Sequence, residues 1–350
     1  MIFGSCERLI ISQTSPGFDG GRYKPWIDQV PRPYFFQQLG DLHYEDYHQG
    51  QTTEEWRELY RTMPRQPSRN LMWRTLPFNY MWDDHDSDLT PGPRINEMYR
   101  EALPHYDLPI EDCGYHTFKI GRARVIVLDF YSKAKGSSFP SEERTTFGED
   151  QLSLMETEML TAKDDPNTKL IVLYVPEEIH VTNNIQSNDR ARIRDFVIAN
   201  ELSGMMCYLH GDYHMLAMDS GINNNFGGFP IFCAANIVGT GTNRGGEWSE
   251  GIISTGAQNG LVTVTDAGGD TVSVDFSGRN TDNEEVMAMS FVTEGDESNP
   301  ANLQVSIEGT IASLNWDASP TPNVTEYHVL GVTHKQASRS SPIVTVLLLS

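Results

Sequence analysis

Four short apolar stretches of this chain each stop at side chains that bind cations or carry protons. That repetition narrows the possible folds more than any other feature. Met1–Ser5 (MIFGS) runs into Cys6, and Pro33–Leu39 (PYFFQQL) runs through Gly40 into Asp41, with Tyr44 just beyond. Asn79–Trp82 (NYMW) runs into Asp83, Asp84, His85 and Asp86. Gly204–Leu209 (GMMCYL) runs into His210, Gly211, Asp212, Tyr213 and His214. In layered α/β proteins, loops converge outside the carboxyl ends of the strands, and ligands gather there. Segments of helical pattern are interspersed: Thr53–Tyr60 with Thr53 as its cap, Arg94–Leu103, Gly148–Ala162 and Asp189–Asn200.

Other strands are legible as well. Tyr115–Asp129 reads as a hairpin, Lys169–Val175 as a buried strand from its continuous apolar run, and Gly260–Asp266 and Asp270–Phe276 as late strands. The expected fold is α/β, with layered mixed sheets and helices outside, over residues 1–280. Residues 281–300, with Asp282, Glu284, Glu285, Glu294, Asp296 and Glu297, read as an acidic linker. Residues 301–350 read as alternating strands, and the region of Trp316 resembles the opening of a fibronectin type III module. Such a module needs about seven strands, so this β segment is expected to be partial.

The chain has 350 residues, 38% hydrophobic and 10% aromatic, enough for a sizeable core. Its 48 acidic against 26 basic side chains give a formal charge of -22, which disfavours nucleic acid and anionic membranes as bound partners. Most of that acid reads as solvated surface; acid gathered around hard cations is the sharper reading, and the two coexist. The four cysteines form no C-x-x-C pair, which removes zinc-ribbon and thioredoxin-like sites. Cys207 and Cys233 lie in apolar surroundings, as buried thiols do. No apolar run approaches ~20 residues, so no transmembrane helix is expected. The first residues lack the basic and long apolar regions of an export signal. The chain opens inside a core strand, which leaves an upstream segment as an expectation.

Each polar cluster has a plain reading beside the functional one. Cys6 fits a small buried thiol, Asp41 after Gly40 fits a tight turn, Tyr44 fits packing, and Asp83–Asp86 fit a solvated acidic loop. Carboxylates crowded beside one imidazole repel one another unless cations are present. Four strand-end clusters together supply thiol, carboxylates, phenol and imidazole, a mixture suited to a transition metal beside a harder, oxygen-loving ion.

The stretches FGSC, LGDLHYED, WDDHD, FGEDQ and HGDYH, in this order, resemble the motifs of PhoD-like (alkaline phosphatase D) metallophosphatases. The resemblance runs from Met1 to about Gly278. It implies a metallophosphoesterase-type sandwich of two mixed β-sheets flanked by helices, and hydrolysis of phosphate monoesters or diesters by metal-activated water. It also implies ferric iron, Fe(III), surrounded by Cys6, Asp41, Tyr44 and His214. Asp41 would bridge to calcium, Ca2+, held also by Asp84 and Asp212, and His85 would stand beside the scissile phosphate; Mn2+ is the alternative metal. An extracellular or periplasmic location follows from the same resemblance. The sequence departs from the family pattern after Asp129, where Phe130, Tyr131 and Ser132 replace an expected arginine motif and Lys133 is the nearest cation. Glu177 and Glu178 are more acidic than the family pattern at this place and either hold a further calcium or face solvent; His43 is expected as a strand-end side chain. The competing class is a calcium-binding or adhesion protein carrying a degenerate phosphatase domain.

Overall fold

The computed structural model describes residues 1–6, 23–44, 52–65, 67–87, 93–180, 184–237, 241–294, 304–308, 311–315, 328–335 and 343–349. In chain order the first part contains β1 (Ile2–Gly4), α1 (Tyr23–Asp28), β2 (Phe36–Leu39), α2 (Thr53–Thr62), α3 (Pro67–Thr75), β3 (Phe78–Met81), α4 (Asp84–Ser87) and α5 (Pro93–Ala102). It continues with β4 (His116–Ile120), β5 (Ala123–Val127), α6 (Gly148–Asp164), β6 (Leu170–Tyr174), α7 (Ser187–Ala199), β7 (Met206–His210), β8 (Leu216–Asp219) and β9 (Ile231–Ala234). Strands β10 (Ile252–Ile253), β11 (Asn259–Thr265), β12 (Ser273–Arg279) and β13 (Glu285–Val292) complete it.

Two mixed sheets result. One has the order β13-β12-β11-β1-β2-β3, the other β10-β8-β9-β7-β6-β5-β4. Strands β1, β2 and β3 run parallel, as do β5, β6, β7 and β9, so two sets of carboxyl ends are formed. The continuous apolar run of β6 has its reason in this arrangement, since a strand covered on both faces needs apolar side chains in both directions. Leu170, Val172 and Tyr174 enter the core between the sheets, with Phe3, Leu39, Val262 and Phe276 from the opposite layer. Ile171, Leu173 and Val175 pack with Leu152, Met155 and Met159 of α6 and Ile193 of α7. On the far face of the first sheet, Ile2 and Phe36 pack with Trp26 of α1 and Met72 of α3. Phe3 meets Phe232 edge to face at 4.8 Å, one aromatic contact joining the layers.

Two local expectations are corrected. The N-cap of α2 is Thr52, not Thr53: the Thr52 hydroxyl accepts from Glu55 N at 3.3 Å while the Glu55 carboxylate accepts from Thr52 N at 2.6 Å, a reciprocal capping box. The stretch read as an acidic linker begins instead with a strand. Glu285–Val292 pairs antiparallel with β12, and Met287 and Met289 on its inner face are buried in the inter-sheet core. The acidic residues around it obscure this alternation.

Contacts divide the chain into a unit of Met1–Thr293 and one of Glu294–Ser350. In the second, β14 (Gln304–Glu308) pairs with β15 (Ile311–Asn315), and β16 (His328–Lys335) with β17 (Ile343–Leu349), as two separate hairpins. Trp316 lies outside the described residues, and the fibronectin-like reading rests on the sequence alone.

Cutting the chain after Gly278 should lower the melting temperature of the first unit relative to cutting it after Thr293. The shorter cut removes β13 and two buried methionines, each worth about 2 kcal/mol or more, a combined loss of roughly 10 °C in a chain of this size. Differential scanning calorimetry of the two truncations decides this; equal melting temperatures would show that β13 adds nothing to the core.

Candidate metal centre

The carboxyl ends of β1, β2, β3, β6 and β7 deliver Cys6, Asp41, Asp83 with Asp84, Glu177, and Asp212 with His214 to one place. Two glycines permit the approach. A Cβ on Gly40 would lie 2.2 Å from the Asp83 Cβ, and one on Gly211 would lie 2.3 Å from the Ser5 hydroxyl. The Ser5 hydroxyl in turn accepts from Asp212 N at 3.0 Å, which fastens the end of β7 to the end of β1.

Cys6, Asp41, Asp212 and His214 all have positive φ, between 52° and 59°. Non-glycine residues adopt this left-handed conformation uncommonly, and such departures gather at functional sites. Each of the four is a ligand candidate from the sequence, and the backbone is bent at each of them to present its side chain.

Asp41 is the common member of the cluster. Ligand atoms of Cys6, Asp41 and His214 lie within 4.8 Å of one another, as do those of Asp41, Asp84 and His85, and those of Asp41, Asp83, Asp84 and Asp212. The Tyr44 hydroxyl donates to Asp41 Oδ2 at 2.8 Å and lies 2.9 Å from His214 Nε2. The other oxygen of Asp41 accepts from His85 N at 3.4 Å. His85 itself is half-buried, its ring 4.0 Å from that of Tyr44.

Burial and the neighbouring carboxylates push Asp41 and Asp83 well above the usual carboxylate range. Burial raises Asp212 to about 6, with Arg244 opposing and Asp84 adding to the shift, and burial with the charge of Asp212 raises Glu177 to about 8. Burial, with Asp41 and Asp212 nearby, holds the Cys6 thiol well up, and burial does the same to the Tyr44 phenol. Among the described residues, buried Asp83 Oδ2 has no hydrogen-bond partner. Positive charge among these groups would reverse all of these penalties, so the donor set fits cations.

A second layer of contacts explains motifs that carry no ligand. Gln151, in FGEDQ, donates to Asp129 O and accepts from Asp129 N, both at 2.9 Å. Asp129 then accepts from Trp82 Nε1 at 3.0 Å and from Tyr131 N at 3.0 Å. The Tyr131 hydroxyl closes the relay by donating to Asp83 Oδ1 at 3.1 Å. Asp86, expected to flank His85 in an acidic loop, turns inward instead. It accepts from Leu42 N at 2.9 Å and Asp83 N at 3.2 Å, tying the β2 and β3 loops together.

Several sequence-level candidates take other places. Lys133, the nearest cation after Asp129, donates to Glu111 O at 2.9 Å near the surface. His43 is enclosed beside the Trp56 and Tyr60 rings, and burial lowers its pKa to about 3, so it is neutral packing. Glu177 and Glu178 diverge. Glu177 joins the charge of Asp83 and Asp212, while Glu178 pairs with His180 Nδ1 at 2.5 Å in a separate buried contact. In the sequence Asp83 reads only as part of an acidic run. Arg244, which reaches Asp212 Oδ2 at 3.8 Å, carries no sequence signal.

No family model matches the chain, and no curated protein is similar to it in sequence. Among solved structures it is similar to the purple acid phosphatase PPD1 of yellow lupin (Lupinus luteus) seeds. That match has a TM-score of 0.59 and 10% identity, and covers 83% of this chain and 52% of the lupin enzyme. A 5'-nucleotidase precursor from Thermus thermophilus matches with a TM-score of 0.32 and 12% identity, over 79% of this chain and 48% of that one. The chain thus spans about half the length of each. The lupin match shows the metallophosphoesterase-type fold of two mixed sheets flanked by helices. Among the described residues, no helix is long and apolar enough to cross a membrane.

The raised carboxyl groups make a pH prediction. Asp212 at about 6, Asp86 at about 7 and Glu177 at about 8 hold protons more tightly folded than unfolded. Stability from such groups is complete below their unfolded values and is lost as pH rises through the folded ones. Buried His43, His116 and His210 have lowered values and oppose this trend only below about pH 6.5. Chelator-treated protein should therefore lose unfolding free energy from about pH 6.5 to 8.5, by on the order of 1 kcal/mol per pH unit for each carboxyl still protonated, and its melting temperature should fall accordingly. Added metal should flatten the slope. A melting temperature that rises over this range in chelator would contradict the assigned crowding.

Proposed function

We propose that this chain is a metal-dependent phosphoesterase that hydrolyses phosphate monoesters, diesters or both, with a catalytic unit of the PhoD-like type. The observation that carries this reading is the place of Asp41, which belongs at once to a group with thiol and imidazole and to a group made only of carboxylates. A bridging carboxylate between sites of different softness is what a mixed two-metal centre requires. Cys6, Asp41, Tyr44 and His214 would hold the transition metal, ferric iron by family resemblance. Asp41, Asp83, Asp84 and Asp212 would hold the harder ion, calcium by the same resemblance, with Mn2+ as the alternative. When bound, such ions supply Lewis-acid polarisation of the phosphoryl group and lower the pKa of water. The family resemblance also supports an extracellular or periplasmic location.

The chain's own groups complete the chemistry. Asp41 and Asp84 orient the backbone of His85, which donates to Asp84 Oδ1 at 2.8 Å as well as to Asp41. Tyr44 packs against one face of its imidazole. The half-buried ring thus stands beside the carboxylate cluster, in a place from which an imidazolium would donate a proton to a departing alkoxide.

Metal analysis combined with turnover tests the centre. Cys6→Ser should lower iron occupancy far more than Cys207→Ser, whose site is buried between the sheets. Asp41→Asn should lose both ions together, and Asp83→Asn or Asp84→Asn mainly the harder one. An Asp41→Asn protein with full metal content and full turnover would overturn the assignment.

The role of His85 separates by leaving group. A nitrophenolate leaves with little need of a proton, whereas an alkoxide needs one in the transition state. His85→Asn should slow alkyl ester hydrolysis by about a hundredfold or more, with a much smaller loss on nitrophenyl esters and unchanged metal content. Equal losses on both esters would assign His85 to the phosphoryl oxygens or the nucleophile, and loss of metal would make it a ligand.

A further inference from the structure

Resting on that reading, we propose that Arg244 grips the non-bridging oxygens of the phosphate and biases the site toward dianionic monoesters. A protein of charge -22 whose centre is lined by Asp41, Asp83, Asp84, Asp212 and Glu177 opposes the entry of an anion. Metal ions offset part of that field. A fixed donor pointed at the outer phosphate oxygens is a separate requirement, and a planar guanidinium meets it with two parallel N–H bonds.

Arg244 is held at the rim by its own loop. Thr242 N donates to His214 O at 3.0 Å, so the loop hangs from the same turn that presents Asp212 and His214. Asn243 Oδ1 accepts from Gly245 N at 2.8 Å, and Gly245 O accepts from Trp248 Nε1 at 3.1 Å, closing the turn around Arg244. The guanidinium carbon lies 5.3 Å over the ring of Tyr213, between two of the assigned ligands in sequence. From there it reaches Asp212 Oδ2 at 3.8 Å, too far for a hydrogen bond. The Arg244 side chain is 46% exposed. Among the described residues, its guanidinium donors meet Asp212 only through this long ion pair. A rim pair of this length adds little stability.

Neither residue that follows the Asp129 motif supplies this donor. Tyr131 occupies the position where the family resemblance leads one to expect arginine, and its hydroxyl is committed to Asp83. Lys133 is committed to Glu111 O. The cationic donor proposed here comes instead from the turn at Thr242–Gly245, which hangs from His214 O. A monoester offers a dianion with three non-bridging oxygens, a diester a monoanion with two, so a second cationic donor favours the monoester.

The test uses metal-loaded wild type, Arg244→Gln and Arg244→Lys. Metal content is measured first, then inorganic phosphate binding by calorimetry, then KM and kcat for nitrophenyl phosphate and bis(nitrophenyl) phosphate. Arg244→Gln should weaken phosphate binding and raise the monoester KM by about tenfold or more, the worth of one charged hydrogen bond. The diester KM should change far less, metal content should be unchanged, and Arg244→Lys should recover part of the loss. Unchanged phosphate affinity in Arg244→Gln, equal effects on the two esters, or loss of metal would each overturn the proposal. Wild-type protein that binds phosphate through Arg244 but turns over neither ester would overturn the phosphoesterase reading instead.

Discussion

Carboxylates a few ångströms apart in a buried setting cannot all carry charge unless cations lie among them. That constraint organises the first unit of this protein. Oxygens of Asp41, Asp83, Asp84 and Asp212 lie within 4.8 Å of one another, and folding alone forces them together at the ends of strands from both sheets. The strain is visible in the backbone, where Cys6, Asp41, Asp212 and His214 all sit in the left-handed region. Such costs persist only where surrounding structure over-determines them. Here the surroundings are the paired parallel strands, the close approaches at Gly40 and Gly211, and the Ser5–Asp212 bond. A metal bound among these groups would therefore stabilise the fold as well.

Around the ligands lies a set of groups whose work is to hold other groups still. Gln151 fixes Asp129, Asp129 fixes Trp82 and Tyr131, and Tyr131 reaches Asp83. Asp86 staples two loops from within. Gln151, Asp129 and Asp86 are buried, and their hydrogen bonds offset the cost of taking polar groups out of water. The arrangement explains why FGEDQ, which adds no residue to the candidate cluster, belongs with motifs that do.

The candidate ligand set is largely legible because two local signals coincide at each cluster: an apolar run of strand length, then an abrupt change to metal-binding side chains. Cys6, Asp41, Tyr44, Asp84, Asp212 and His214 all follow such a run, and the structure brings them together. The same signal does not sort Asp84 from Asp86. Both are acids in one short run, but a four-residue helical turn sends Asp84 toward the cluster and Asp86 inward to the β2 loop. Nor does it reach Arg244, whose neighbours in sequence are ordinary loop residues and whose partner Asp212 lies across a turn and two strands. Strand β13 escapes because its alternation of Met287 and Met289 is embedded among acids that mimic a linker.

By itself the sequence determined which residues could serve. Strand periodicity, the β6 run that demands cover on both faces, and the chemical types at each strand end are all local properties, readable without coordinates. Tertiary structure decided which of the acids became neighbours, that Asp41 stands between two donor sets, that Tyr131 is spent on Asp83, and that Arg244 stands at the rim of the centre. Those outcomes depend on sheet order and on loop geometry of a few ångströms. Electrostatic coupling at such distances is set by the meeting of residues far apart in the chain, and no pattern within one segment encodes it.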